Sequence, residues 1–399
     1  MADRERESHK LGGSAERRER RCRPALPLGP ASRALEYYAN PQPKGSSKRP
    51  RRLLATVSAF VLSTGVAWAE CSPENWRECA GKPWVDGDKR ETPLGSQWWP
   101  NELWGEGDEA GSTNWYTKPE VVLRGISLIK EGKTYKLGQE YSADMPLFRQ
   151  RQFVLRIPAT PTGGPFGANM LVYHDEFLST EIGQVGTQFD GLGHIGVQIG
   201  PNGERDKMRF YNGFIEGEFA TAYGLEKLGM EKLHPIVARG VLLDIAGARG
   251  VDVLEKGECV SMDDVNAALE NQGMADFEFM EGDTILFRYG WDAYWSDPPK
   301  FNDGSPGICM DTARWVAEEV KAGVTGGDTW NATDPVPYPN EKGCVFCIHT
   351  YCRPGTASNQ ENLNLTPLAN DGTYVFAYIY SPVPIKGATG SIGSPIAIK

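Results

Sequence analysis

The run Gln184-Val185-Gly186-Thr187-Gln188-Phe189-Asp190-Gly191-Leu192-Gly193-His194 places two amides, a carboxylate and an imidazole at even spacing. Residues at even spacing share a face of an extended chain. The reading is therefore a strand that projects Gln184, Gln188, Asp190 and His194 to one side. The interleaved Val185, Thr187, Phe189, Gly191 and Gly193 are small or apolar. Glycines beside a polar row let a metal ion or a polar ligand come close to the backbone.

The run resembles the signature of the cyclase-type hydrolases, the family of bacterial kynurenine formamidase and isatin hydrolase, which reads His-x-Gly-Thr-His-x-Asp-x-Pro-x-His. Gly186, Thr187, Asp190 and His194 stand in register with it. Gln184 and Gln188 replace the two leading histidines, and Leu192 replaces the proline. A second family element, a His followed twelve residues on by the Glu of a Glu-x-Leu-x-Asn-Leu-like run, is matched by His349 and by Glu361-Asn362-Leu363-Asn364-Leu365. The resemblance extends loosely from Trp104 to the Ile385–Gly390 run.

What the resemblance implies is a metal site. Asp190, His349 and Glu361 are its expected ligands, and a second ion in the family would be completed by the positions that are Gln184 and Gln188 here. A neutral amide oxygen is a weaker donor than imidazole, so the expectation is one divalent ion, manganese or zinc, with the oxygen-rich set leaning toward manganese or magnesium. His194 takes the place of the family's proton-transfer residue. A neutral imidazole there suits a base that takes a proton from water and returns it to a leaving nitrogen. Trp104 is the rough counterpart of the aromatic residue that faces the substrate. The implied activity is hydrolysis of a small amide, lactam or lactone. The alternatives are a ligand-binding relative without catalysis, and a dehydratase or cyclase using the same groups. No Gly-x-Ser-x-Gly spacing points to a serine nucleophile. The family also implies a homodimer or larger assembly.

Charge is distributed unevenly. Residues 1–52 hold 14 Lys/Arg against 6 Asp/Glu, whereas the rest of the chain has a net charge of −18. An acidic body argues against nucleic acid as a partner, because phosphate binding needs clustered cations. The basic head over residues 1–47 reads as disordered. Residues 48–69 read as a secretory signal: Arg51-Arg52, an apolar run over 53–67, then Ala67-Trp68-Ala69. The run is short for a membrane span, so the expected product is exported, periplasmic or secreted, with no stable membrane association after cleavage. Seven cysteines follow Ala69, an odd number. They read as structural disulfides, with Cys71 and Cys79 close enough to pair, rather than as a zinc or redox site.

The elements that must position these groups read as an α/β domain over residues 113–399 after an irregular Trp/Pro/Gly-rich segment, 70–112. Helices are predicted from Pro119 to Glu131 with Val122, Ile126 and Ile129 inward, from Ser261 to Gly273, and from Asp311 to Ala322. Strands are predicted over Val237–Ala246, Asp283–Tyr289 and Thr373–Tyr380. Such alternation gives a single domain with a mixed sheet, and the resemblance adds a swivelling β/β/α arrangement.

Overall fold

The computed structural model describes residues 99–198, 204–337 and 358–399, all within one compact unit, Ala67–Lys399. The basic head, the signal segment, Cys71, Cys79, Cys344, Cys347, Cys352 and His349 lie outside the described residues.

Val241-Leu242-Leu243 carries no polar side chain, so both faces of that strand have to be covered. All three residues are fully buried at the centre of a nine-stranded sheet. Numbered along the chain, its strands are β1 (Thr134–Lys136), β2 (Gln188–Asp190), β3 (Ile236–Asp244), β4 (Thr284–Arg288), β5 (Val324–Gly327), β6 (Ser358–Glu361), β7 (Val375–Tyr380), β8 (Gly390–Ile392) and β9 (Ile396–Ile398). Their order is β1-β9-β7-β3-β4-β5-β6-β2-β8. The pairs β3/β4, β4/β5 and β5/β6 are parallel, and all others are antiparallel. The fold is thus mixed α/β, as the alternation of elements implies.

Alternate residues of the central strands feed two cores. Leu243, Ile285 and Phe287 pack with helix α2 (Met262–Asn271) and helix α3 (Met310–Arg314) through Val265, Ala268 and Ala313. Leu242, Leu286, Phe376 and Tyr378 pack with Trp115, Tyr116 and Val121 on the other face. Helix α2 starts where its sequence says it should: Ser261 and Asp264 form a reciprocal capping box. A π-type turn, Trp315–Glu319, continues α3.

Helix α1 differs from expectation. It covers Pro119–Ile126, ends short of Glu131, and buries Val121 and Gly125, while Ile126 and Ile129 are exposed. The reason is close packing on β3. A Cβ on Gly125 would lie 2.5 Å from the carbonyl carbon of Ala238, so the helix turns its smallest residue to the sheet.

Among the described residues a disulfide, Cys259–Cys309, fastens a two-residue parallel pair, Cys259–Val260 with Gly307–Ile308. Among the described residues four antiparallel ribbons lie outside the large sheet, the longer two being Phe153–Arg156 with Phe177–Thr180 and Gly163–Phe166 with Leu171–Tyr173.

Candidate active site

The Gln184–His194 run is not one strand. Only Gln188–Asp190 is extended, and turns precede and follow it. Gly186 at φ 63° breaks the strand, in a conformation that favours glycine, and no side chain could grow there without striking the Tyr141 ring. The four polar residues gather nonetheless, because the turns fold back toward the strand.

Strand β6 brings in Glu361 from across the ladder, where it pairs with Gln188. The register is held from both ends. Thr187 Oγ1 donates to the Asn362 carbonyl (2.7 Å), and Asn362 Nδ2 donates to the Gly186 carbonyl (2.7 Å). The Gln360 amide donates to the Gln188 carbonyl at 2.8 Å.

Gln188 is 2% exposed and its amide nitrogen is the centre of the cluster. It donates to Glu361 Oε2 at 2.8 Å and lies 3.5 Å from Asp190 Oδ1. Gln184 Nε2 is also 3.5 Å from Asp190 Oδ1, and Asn359 Nδ2 donates to Glu361 Oε1 at 3.0 Å. His194 Nε2 stands 3.9 Å from Asp190 Oδ1, beyond hydrogen-bond range. Two buried carboxylates therefore face one point, and the positive end of an amide dipole occupies it.

A cavity of about 630 Å³ opens over this cluster, with Gln184, Gln188, His194 and Glu361 in its wall. The remaining wall comes from residues the sequence pattern left unread: Phe148, Arg149, Gln150, Arg151, Glu181, Ile195, Gly196, Trp330 and Asn331. Phe148 stacks on Trp330, with centroids 4.3 Å apart and planes 19° from parallel. The Arg149 and Arg151 guanidinium groups lie 5.0 and 5.5 Å from the Phe148 ring, a cation–π geometry. Arg151 also donates to the Gln184 carbonyl at 2.7 Å. The wall is flat, aromatic and cationic; the floor is acidic.

Asp328 stands just past the end of β5, two residues before Trp330. That carboxylate is fully buried and accepts from the backbone N–H groups of Tyr289 (2.9 Å), Gly290 (2.8 Å) and Trp291 (3.0 Å). Burial pushes its pKa up to about 8, with the Asp292 charge adding and the Tyr289 N–H and Arg288 opposing.

Trp104 does not line the cavity. It packs edge-on against Trp115, 5.0 Å between centroids, beside Lys118. Among the described residues the aromatic side chains that line the cavity are Phe148 and Trp330. Among the described residues, no three His, Cys, Asp or Glu side chains gather as a metal-holding group. The acids of the cluster are Asp190 and Glu361, Glu181 stands in the cavity wall, and His349 lies outside the described residues.

The Cyclase family model, described as putative cyclase, matches residues 135–334, just over half of the chain and including the Gln184–His194 run. The chain belongs to the cyclase family. A solved structure described as a novel cyclase is 27% identical, with a TM-score of 0.61 over 74% of this chain and 98% of that one. This cyclase-family chain is also similar to isatin hydrolase A from Ralstonia solanacearum, at 19% identity and a TM-score of 0.49, covering 67% of this chain and 92% of that one. A potential metal-dependent hydrolase with cyclase activity gives 14% identity and a TM-score of 0.41, over 66% of this chain and 98% of that one. No curated protein matches the chain. The matched family segment includes Asp190 and His194 but stops before Glu361.

Proposed function

We propose that this cyclase-family chain is a metal-dependent hydrolase that opens a small amide, lactam or lactone. The observation that carries the reading is the convergence of Asp190 and Glu361 on the Gln188 amide nitrogen, at 3.5 and 2.8 Å, beneath an open cavity. Two carboxylates aimed at one positive point are a donor set for a hard divalent cation. Turning the Gln188 amide about its last torsion would present its oxygen instead of its nitrogen. Asp190 and Glu361, with the Gln184 and Gln188 oxygens and with His349, are the residues that would hold the ion, manganese or zinc. Bound there, it would acidify water and polarise a carbonyl.

The chain's own residues supply the rest. His194, 3.9 Å from Asp190, is in place to take a proton from water and pass it to the departing nitrogen or oxygen. The Phe148–Trp330 stack excludes water from one wall and offers a plane to a flat substrate. Arg149 and Arg151 favour a substrate that gains negative charge as its bond opens. The partner is thus a small molecule, and the protein acts outside the cytoplasm after removal of residues 1–69.

A second reading rests on Gln188 itself. Its amide already satisfies both acids, which a ligand-binding relative without catalysis would also need.

The test is metal analysis of the chain from residue 70 onward, wild type and Glu361→Ala, followed by assays on aryl formamides, isatin-like lactams and lactones. About one equivalent of divalent metal, lost in the variant, with hydrolysis of at least one class, is the expected result. Absence of bound metal under every loading condition would refute the hydrolase reading and favour the ligand-binding one.

A further inference from the structure

The two arginines of the cavity wall are not equivalent. Arg151 is half-buried and already engaged: one guanidinium nitrogen donates to the Gln184 carbonyl at 2.7 Å, and another lies 3.5 Å from Gln184 Oε1. It ties the turn at 149–150 to the run that carries the floor of the site. Arg149 is exposed, and its guanidinium stands 5.0 Å from the Phe148 ring. Among the described residues that guanidinium forms no ion pair and no hydrogen bond. Its N–H donors are left for a ligand.

The surroundings do not cancel this charge. Glu181, the acid of the wall, accepts from the Gln152 N–H at 2.8 Å and pairs with neither arginine. Asp190 and Glu361 face the Gln188 amide, and a divalent ion held there would balance both. The backbone brings Arg149 to the cavity by an unusual route. An extended chain would send alternate residues to opposite faces, yet Phe148, Arg149, Gln150 and Arg151 all line the one wall. The bend is made at Arg149, whose φ of 58° lies in the left-handed region that residues other than glycine seldom adopt. Conformations of that kind gather at ligand clamps.

We propose, on the hydrolase reading of the site, that Arg149 sets its specificity and that the preferred substrate is a flat aromatic amide, lactam or lactone carrying a carboxylate before its bond opens. The planar guanidinium fork matches a carboxylate through two parallel hydrogen bonds. The ring that joins the carboxylate to the scissile bond lies along the Phe148–Trp330 stack. Arg149 binds and orients the substrate away from the reacting carbonyl. It therefore acts on KM rather than on kcat.

The experiment separates the anion subsite from the chemistry. The full chain, wild type and Arg149→Asn, is titrated calorimetrically with naphthoate and with naphthamide, an anionic and a neutral ring of one shape. Asparagine tolerates the left-handed backbone and removes the charge, and circular dichroism verifies the fold. Wild type is expected to bind naphthoate at least about 10-fold more tightly than naphthamide, and Arg149→Asn to bind the two alike. Arg149→Lys, which keeps the charge without the fork, should retain part of the preference. Hydrolysis of para-formamidobenzoate and of formanilide is followed in parallel. The variant's KM for the benzoate should rise by a similar factor at unchanged kcat, with formanilide unaffected. Equal binding of both rings by wild type overturns the proposal. So does a naphthoate preference that survives Arg149→Asn, which would place the carboxylate on the floor or on Arg151. The binding difference without hydrolysis of any substrate would uphold Arg149 as the anion subsite and refute the hydrolase reading instead.

Discussion

Gln188 joins two carboxylates that would otherwise repel each other out of reach of bulk water. Replacing it with leucine keeps the volume and removes the donor. Gln188→Leu is expected to lower stability by about 1–3 kcal/mol, read as a shift of the urea midpoint at unchanged slope; a shift under about 0.3 kcal/mol would show that Asn359 and solvent suffice. His194→Ala should lower kcat at least about 100-fold while metal content holds. Equal turnover in the variant would remove His194 from the mechanism. Much of this floor was legible in the sequence, because Gln184, Gln188, Asp190 and His194 sit within eleven residues and Glu361 within a second short motif. The wall was not. Phe148, Arg151 and Trp330 come from loops far apart in sequence, and no periodicity links them. A signal did exist for Trp330: it follows a buried parallel strand, and α/β proteins place ligands at that end.

At the scale of elements, strong patterns were read at the right places, and the reasons are local. Ser261 caps α2, and Gly273 at φ 69° follows it. Helix α1 shows where local reading fails, since Val122-Ile126-Ile129 looks like the apolar face yet tertiary contact with Ala238 selected Val121 and Gly125. Gly125→Val should cost at least about 2 kcal/mol, because backbone rather than a mobile side chain stands in the way; a Tm within a degree or so of wild type would mean the helix can lift off the strand. Asp328 gives the loop after β5 a pH dependence. Its folded pKa, about 8, is above the ordinary carboxylate value, so the folded protein holds a proton that the unfolded chain releases. That contribution is complete below the unfolded value of about 4 and is lost as pH rises through the folded one. Thermal melts between about pH 5 and 9 should therefore fall more steeply in wild type than in Asp328→Asn. Parallel slopes would place the carboxylate's charge elsewhere in the balance.

The whole molecule carries constraints that no element reveals. Cys259 and Cys309 are separated by 50 positions, and closing a loop of that length removes unfolded-state entropy worth roughly 3–4 kcal/mol. Denaturation with and without reductant should differ by about that amount, and an unchanged midpoint would show the bond to be dispensable. The nine-stranded sheet has a further consequence. Asp190 and Glu361 belong to neighbouring antiparallel strands, β2 and β6, and the register that pairs Glu361 with Gln188 brings both acids to the Gln188 amide. A slip of one residue would send every side chain of the shifted strand to the opposite face. No partly aligned version of the site is available to a folded molecule. Destabilising substitutions far from the cavity should thus reduce the number of competent molecules while leaving the KM of the survivors untouched. For this chain, specific activity in a preparation is a headcount of correctly aligned sheets.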